Sequence, residues 1–162
     1  MSRPVPPAAA VVAIGANLGD TARAIDDAVR ALAALPLTDR VRASDAVETV
    51  AVRLDGPDPE APRYRNAVAV LQTRLAPSVL LAELHRIEAE HGRVRRERWG
   101  DRTLDLDLIA YGRVRSAGPA LLLPHPRAHE RRFVLEPWQQ VDPDAELPGA
   151  GAIASLLAGL DG

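Results

Sequence analysis

Two acidic side chains alternate with leucines in residues 104–108 and have the spacing of a metal-binding pair. Asp105 and Asp107 lie between Leu104, Leu106 and Leu108, a pattern that predicts a strand with acids on one face and leucines on the other. Same-face neighbours in a strand lie about 6.5–7 Å apart, so the carboxylates repel each other unless cations lie beside them. Mg²⁺ prefers oxygen ligands and is often held by carboxylates together with substrate phosphates. The simpler alternative is a half-exposed strand whose acids face water.

A cluster of arginines precedes this strand and favours an anionic ligand. Five guanidinium groups fall within residues 93–102, at Arg93, Arg95, Arg96, Arg98 and Arg102. Arginine suits planar, multidentate contacts with phosphate. A solvated basic loop is the alternative, but it leaves Trp99 unexplained, because large aromatic side chains are mostly buried. The acids and arginines together indicate magnesium–phosphate chemistry, with Trp99 on a loop that closes over the ligand.

The composition narrows the classes of protein. A chain of 162 residues suits one domain, and we assign residues 1–162 to it, with 1–8 as a flexible lead-in. The net charge of −2 does not favour a nucleic-acid or membrane surface, and the absence of cysteine excludes thiolate metal sites. All 20 basic residues are arginine, which excludes a Walker A lysine. No apolar run reaches the roughly 20 residues of a membrane span, so we expect a cytoplasmic protein.

Hydrophobic periodicity predicts a βαββαβ order of core elements, which is typical of a ferredoxin-like α+β fold. Strands are expected at residues 8–16, 41–52, 67–71 and 104–109. A first helix is expected to end at Pro36, because apolar residues recur before it at helical spacing, at Ile25, Val29, Leu32 and Leu35. A second helix is expected to open at Pro77 and to be capped by Gly92. An additional C-terminal hairpin within 114–123 and helices at 133–141 and 153–160 are expected to follow, with Pro137 in the first turn of its helix.

Smaller polar motifs lie near the predicted strand ends. Gly15-Ala16-Asn17-Leu18-Gly19 matches neither the dinucleotide-binding motif nor the P-loop, and a tight strand–helix turn is its simpler interpretation. Tyr64 and Asn66 are expected in a loop before the third strand, and the Asn66 amide would suit a heterocycle that bears an amide. His125, Arg131 and Phe133 form a further cluster before a helix.

Four segments in order resemble the 6-hydroxymethyl-7,8-dihydropterin pyrophosphokinases of folate biosynthesis. They are the glycine motif at 15–19, the Tyr-Arg-Asn motif at 64–66, the Arg-Trp-Gly-x-Arg-x-x-Asp-x-Asp region within 92–109, and residues 123–135. The resemblance implies that diphosphate passes from ATP to the hydroxymethyl group of the pterin and that AMP is released. It also implies a protein with two small-molecule substrates and no nucleic-acid or membrane partner, which we expect to be a monomer.

The resemblance also implies roles for individual residues. Two Mg²⁺ ions would be held by Asp105 and Asp107, which with Arg95 and Arg102 form the expected catalytic group. ATP would be contacted by Glu88, Arg93, Arg95, Trp99, Arg102, His125 and Arg131. The pterin would be contacted by Thr49, Tyr64, Asn66, Trp99 and Phe133.

The chain departs from the family pattern at three places. The Thr-x-Pro stretch usual near Thr49 is replaced by Thr-Val-Ala in a longer loop, Asp101 replaces a proline or small residue, and His85 stands where some members have glutamine. An inactive paralogue is therefore one alternative. A regulatory nucleotide-binding domain is another. An RNA-binding ferredoxin-like domain is a third, but it would need aromatic residues on its central strands.

Overall fold

The computed structural model describes residues 6–17, 21–50, 52–53, 56–57, 63–98 and 104–161. For residues 49–50, 52–53, 56–57, 63, 93–98 and 161 it describes the backbone alone. The helices are α1 (Thr21–Ala33), α2 (Pro77–Arg98), α3 (Arg132–Val141) and α4 (Ile153–Asp161). The longer strands are β1 (Ala8–Asn17), β2 (Thr38–Ala43), β3 (Val47–Val50), β6 (Arg63–Thr73) and β7 (Leu104–Tyr111). Short strands are β4 (Val52–Arg53), β5 (Gly56–Pro57), β8 (Ser116–Gly118), β9 (Leu121–Leu123), β10 (Glu146–Leu147) and β11 (Gly151–Ala152).

An antiparallel five-stranded sheet carries the fold. Its strands lie in the order β2–β6–β1–β7, and β3 also pairs with β6 beyond the end of β2. The short strands form separate two-stranded ladders, of β4 with β5, β8 with β9, and β10 with β11. Strand β1 is therefore central, while β7, which carries the two aspartates, pairs on one side with β1 and forms an edge of the sheet.

Each face of the sheet is covered by its own pair of helices, because alternate side chains of a strand point to opposite faces. On the first face, leucines and other apolar residues of β1, β6 and β7 pack with α1 and α2; this core includes Ile14, Leu32, Leu71, Leu84 and Leu106. On the second face, a separate core joins the sheet to α3 and α4; it includes Val68, Ile109, Leu135, Trp138 and Ile153. The mixed α/β architecture expected from periodicity is confirmed.

The alternation that defines the acidic strand is confirmed. Leu104, Leu106 and Leu108 are buried on the first face, whereas Asp105 and Asp107 are exposed on the second. The amphipathic pattern of α1 is confirmed as well, since Ile25 and Leu32 are buried. In both elements the apolar side chains point into the first core, between the sheet and the helices, and this decides which side faces inward.

The strands extend further than the sequence indicated, and one is divided. Gly15 and Asn17 lie inside β1 and not in a turn, and residues 18–20 lie outside the described part. The single strand expected at 41–52 is wrong: β2 and β3 are separated at Ser44. The Ser44 N–H donates to the Val68 carbonyl and the Val68 N–H donates to Ser44 Oγ, both at 2.9 Å. These bonds keep the segment between β2 and β3 attached to β6.

Two helix predictions are also wrong. Helix α2 continues through Gly92 to Arg98, so the expected arginine loop is helical along 93–98. A glycine inside a helix costs only about 1 kcal/mol relative to alanine, and the surrounding arginine and glutamate residues are good helix formers. Pro137 lies beyond the first turn of α3. The helix tolerates it because Leu135 and Trp138 bury apolar surface in the second core.

No helix within the described ranges is long and apolar enough to cross a lipid bilayer.

Candidate active site

A row of three polar or small residues crosses the second face of the sheet. Asn66 on β6, Gly15 on β1 and Asp105 on β7 are direct neighbours across the strands. Neighbouring strands lie about 4.8 Å apart, so the Cα atoms of Asn66 and Asp105 are about 10 Å from each other. The side chains of directly paired residues project from the same face. An amide and a carboxylate therefore flank Gly15, which forms a glycine floor between them.

Two parallel rows extend this surface. Val68, Ala13 and Asp107 form the next row on one side of the glycine floor. Tyr64 on β6 pairs with Asn17 on β1 and with Thr49 on β3, forming the row on the other side. Tyr64 and Asn66 therefore belong to β6 itself, and the expectation that they lie in a loop is wrong. For Thr49 the backbone alone is described.

The two aspartates form an electrostatically unfavourable pair. Partial burial raises the pKa of Asp105 above the usual carboxyl value, and the negative charge of Asp107 raises it further. Both effects oppose ionisation in the absence of cations. A divalent cation would remove this penalty, because it replaces lost hydration and offsets the repulsion between the carboxylates.

The donor set fits Mg²⁺ that is completed by a substrate. Among the residues that the structure describes, no group of three or more His, Cys, Asp or Glu side chains could hold a metal ion. Two carboxylates alone do not fill the octahedral shell of Mg²⁺, which usually keeps several waters and binds substrate phosphates. The exposed Asp105 and Asp107 leave room for such ligands.

His125 lies beside the acidic end of β7. Its backbone N–H donates to the Ile109 carbonyl at 2.8 Å, which fixes the loop after β9 against β7. Burial lowers the pKa of His125, the negative charge of Asp107 acts in the opposite direction, and Arg131 and Arg127 lower the pKa further. The charges of Asp107 and Arg131 thus act on the His125 imidazole in opposite directions.

The imidazole of His125 has a defined hydrogen-bond acceptor. The backbone N–H of Arg127 donates to His125 Nδ1 at 3.2 Å. Because Nδ1 accepts this bond, the proton of the neutral ring is assigned to Nε2. Nε2–H can therefore act as a donor to an anionic oxygen.

Arg131 and Phe133 are held together at the start of α3. The guanidinium carbon of Arg131 lies 5.6 Å from the centroid of the Phe133 ring, within the range of a cation–π contact. Arg131 has extended backbone and precedes the first helical residue. A guanidinium group and an aromatic ring are thus combined in one short segment.

Glu88 contacts the backbone between the two aspartates. The Leu106 N–H donates to Glu88 Oε2 at 2.8 Å, which satisfies a donor on the edge strand β7. Partial burial raises the pKa of Glu88, the hydrogen bond from Leu106 opposes that rise, and the charges of Asp105 and Asp107 add to it. The contact of Glu88 with ATP stays a prediction. Its hydrogen bond to β7 was not expected from the sequence.

The other predicted site residues of this region have side chains outside the described part of the structure. Arg93 and Arg95 lie in the last turns of α2, where the backbone alone is described. Trp99 and Arg102, together with Asp101, lie outside the described residues. The departure at His85 falls on an exposed position of α2.

The sequence interpretation did not assign Gly15 to the site. Its neighbours Asn66 and Asp105 are distant in sequence, and the strand register brings them together. A glycine inside an otherwise apolar strand was the available signal, since such a glycine often marks a close approach of a ligand or side chain.

Comparison with known proteins decides the family. The family model described as 7,8-dihydro-6-hydroxymethylpterin-pyrophosphokinase (HPPK) matches residues 11–143. The chain belongs to this family. HPPK enzymes transfer diphosphate from ATP to 6-hydroxymethyl-7,8-dihydropterin in folate biosynthesis, and the sequence-based prediction of such a pyrophosphokinase is confirmed.

Relatives with the same name cover nearly the whole chain. The 2-amino-4-hydroxy-6-hydroxymethyldihydropteridine pyrophosphokinase of Haemophilus influenzae is 39% identical over 148 residues, which are 91% of this chain and 90% of that protein. The enzyme of the same name from Pseudomonas aeruginosa is 42% identical over 147 residues, covering 91% and 88%.

A solved structure supports the fold. A crystal structure of Plasmodium falciparum HPPK-DHPS superposes with a TM-score of 0.71 at 13% identity, and covers 98% of this chain. This chain spans 46% of that larger one. At this identity the likeness shows that the two share a fold.

Proposed function

We propose that the row of Asn66, Gly15 and Asp105 is the place where the pterin meets ATP. Asp105 and Asp107 would hold two Mg²⁺ ions, and Asn66 would read the amide edge of the pterin. The strand register supports this proposal, because it sets an amide and a carboxylate on one face at opposite ends of this row. Their separation, about 10 Å, suits a bicyclic ring with a hydroxymethyl arm that points toward the metal.

The reaction joins the hydroxymethyl oxygen to the β-phosphorus of ATP. The new O–P bond forms as the bond between the β-phosphorus and the oxygen bridging to the α-phosphorus breaks. AMP leaves with that bridging oxygen, and the hydroxyl proton passes to solvent. Mg²⁺, when bound, neutralises phosphate oxygens and lowers the pKa of the attacking hydroxyl. We name no general base.

The chain's own residues would bind and orient the two substrates. Tyr64 and Phe133 would stack on the two faces of the pterin, with Arg131 held against Phe133 by the cation–π contact. Arg131 would thereby bring a phosphate contact next to the pterin site. Neutral His125 would donate from Nε2 to a phosphate oxygen, since its Nδ1 accepts from Arg127.

Further roles rest on the family resemblance. Arg93, Arg95, Arg102 and Trp99 would contact ATP, with Trp99 also against the pterin and Thr49 in the pterin loop. Excluding water from such a site prevents its competition as a nucleophile.

We also infer that the sheet is a ferredoxin-like core. Helix α1 follows β1, helix α2 follows β6, and the spatial order β2–β6–β1–β7 has antiparallel neighbours throughout. This arrangement fits two interleaved βαβ units.

Identification of the nucleotide product tests the proposed function. The full chain is incubated with Mg²⁺, ATP and 6-hydroxymethyl-7,8-dihydropterin, and the products are separated by ion-exchange chromatography. AMP and pterin diphosphate in equal amounts are expected. ADP would indicate a simple kinase, and the absence of any product would indicate an inactive paralogue, so either result would contradict the proposal.

A further inference from the structure

Gly15 lies near the end of the central strand β1, without a conformational reason for a glycine there. Positive φ angles occur among the described glycines at Gly112, Gly149 and Gly151, but Gly15 has no such angle. Any residue could therefore adopt its backbone conformation. A glycine in a strand interior weakens the strand, because it packs no side chain and loses more entropy on folding. The reason for a glycine at this position is therefore sought in the space that its missing side chain leaves free.

The space above Gly15 is taken by Asn66. A Cβ atom built on Gly15 would lie 3.2 Å from Asn66 Oδ1, closer than ordinary van der Waals contact. The carboxamide oxygen therefore extends over the floor at Gly15. One row away, Ala13 carries a Cβ atom between Val68 and Asp107. The sheet thus accepts a methyl group next to Asp107, whereas a methyl group next to Asp105 would meet the carboxamide.

We propose that Gly15 is a positioning residue for the pterin: its missing side chain lets Asn66 hold its carboxamide over the strand in the orientation that reads the pterin amide edge. This inference rests on the proposed function of Asn66. A methyl group at Gly15 displaces the carboxamide oxygen by a few tenths of an ångström. Hydrogen bonds weaken when their angles depart from linearity, so the displacement acts on pterin recognition. The atom that must shift belongs to a side chain and not to the backbone, so the fold is retained.

Gly15→Ala tests the inference directly. We expect the dissociation constant of the pterin to rise by roughly three- to tenfold, the loss of about one ordinary hydrogen bond, with that of ATP unchanged. Isothermal titration of the full chain with Mg²⁺ and a non-hydrolysable ATP analogue measures both constants. Gly159→Ala is the matched control, because its new methyl group would meet nothing within 4 Å. Unchanged pterin affinity, or equal losses for pterin and ATP, would overturn the inference.

A double-mutant cycle with Asn66→Ala tests whether Gly15 acts through Asn66. Two mutations that act on one contact are not additive. We expect Gly15→Ala to cause no further loss of pterin affinity once Asn66 is alanine. The double variant also lacks the close contact, so it remains informative if Gly15→Ala alone unfolds. Additive losses would refute a role through Asn66.

Failure of the proposed function can be distinguished from failure of the positioning role of Gly15. Wild-type protein that makes no pterin diphosphate refutes the proposed function. Active wild-type protein with a normal Gly15→Ala variant refutes the positioning role alone.

Discussion

The second face of the sheet has two halves that share strands but differ in chemistry. In one half, Val70, Val11 and Ile109 are buried under α3 and α4. In the other half, Asn66, Gly15 and Asp105 lie in a row, and Asp105 is exposed. The pairing of β1 with β7 shifts register at the border between the halves, since Val12 pairs with Leu108 but Val11 pairs with Ala110. The alternation of β7 ends at this irregularity, because both Ile109 and Ala110 are buried in the second core. The residue types and this shift together decide where the helices pack and where a ligand can bind.

The border between the halves falls within β7. Asp107 and Ile109 are successive residues of one face, yet Asp107 is exposed and Ile109 is 1% exposed. Helix α3 begins near this border, where Arg131 contacts the ring of Phe133. Phe133 packs against the apolar core, while the charge of Arg131 lowers the pKa of His125. Changes on either side of the border should separate catalysis from stability.

Asp107→Ala should produce the largest effect on catalysis. Removal of one proposed metal ligand should lower kcat by about a thousandfold or more, as expected when charge stabilisation in the transition state is lost. Pterin affinity should remain close to that of the wild type. AMP formation measures the rate, and titration calorimetry measures the affinity.

Asp26→Asn is the control for loss of an acidic side chain, since Asp26 is exposed on α1. It should leave the rate unchanged. A near-normal rate for Asp107→Ala would contradict the metal role of the pair.

Ile109→Ala should affect stability instead. Truncation of this buried side chain should lower the free energy of unfolding by roughly 2–5 kcal/mol, because it loses transfer energy and leaves a cavity. Urea unfolding measures the loss, with the exposed Leu122→Ala as control. The folded variant should keep most of its kcat. A large fall in kcat with unchanged stability would show that the two halves are not separable.

Local patterns predicted those features that depend on neighbouring residues in the chain. The alternation at 104–108 was enough to assign the two faces of β7, and the spacing of Ile25 and Leu32 was enough to orient α1. The same reasoning failed at Gly92, because a local preference for helix termination was outweighed by the surrounding helix formers.

Features that depend on distant residues were not predictable from such patterns. The division of β2 from β3 depends on hydrogen bonds between Ser44 and Val68. The contact of Glu88 with the Leu106 N–H likewise joins a helix to a strand. The roles of the site residues remain predictions, which rest on the family resemblance and on the strand register.

Substitutions at Glu88 should have intermediate effects on the polar half. Glu88→Leu removes the acceptor for the Leu106 N–H between the two aspartates. We expect the Mg²⁺ concentration at half-maximal rate to rise by roughly three- to tenfold, as the loss of one hydrogen bond would cause. Glu88→Gln keeps an acceptor oxygen, so its effect should be smaller. AMP formation across a Mg²⁺ titration measures both. If the KM for ATP rises while the Mg²⁺ dependence is unchanged, Glu88 serves the nucleotide and not the position of β7.

The smallest effect concerns the stability of the metal-free protein. Because the pKa of Asp105 is raised in the folded state, folding favours the protonated form. Its stabilising contribution is complete below the ordinary carboxyl pKa and is lost as the pH rises through the folded-state pKa. Asp105→Asn should therefore raise the Tm slightly at neutral pH without Mg²⁺, and the gain should shrink on acidification. Calorimetry at neutral and mildly acidic pH measures this. A Tm gain that grows on acidification, or a lower Tm at neutral pH, would contradict this prediction. Either result would mean that ionised Asp105 stabilises the folded state.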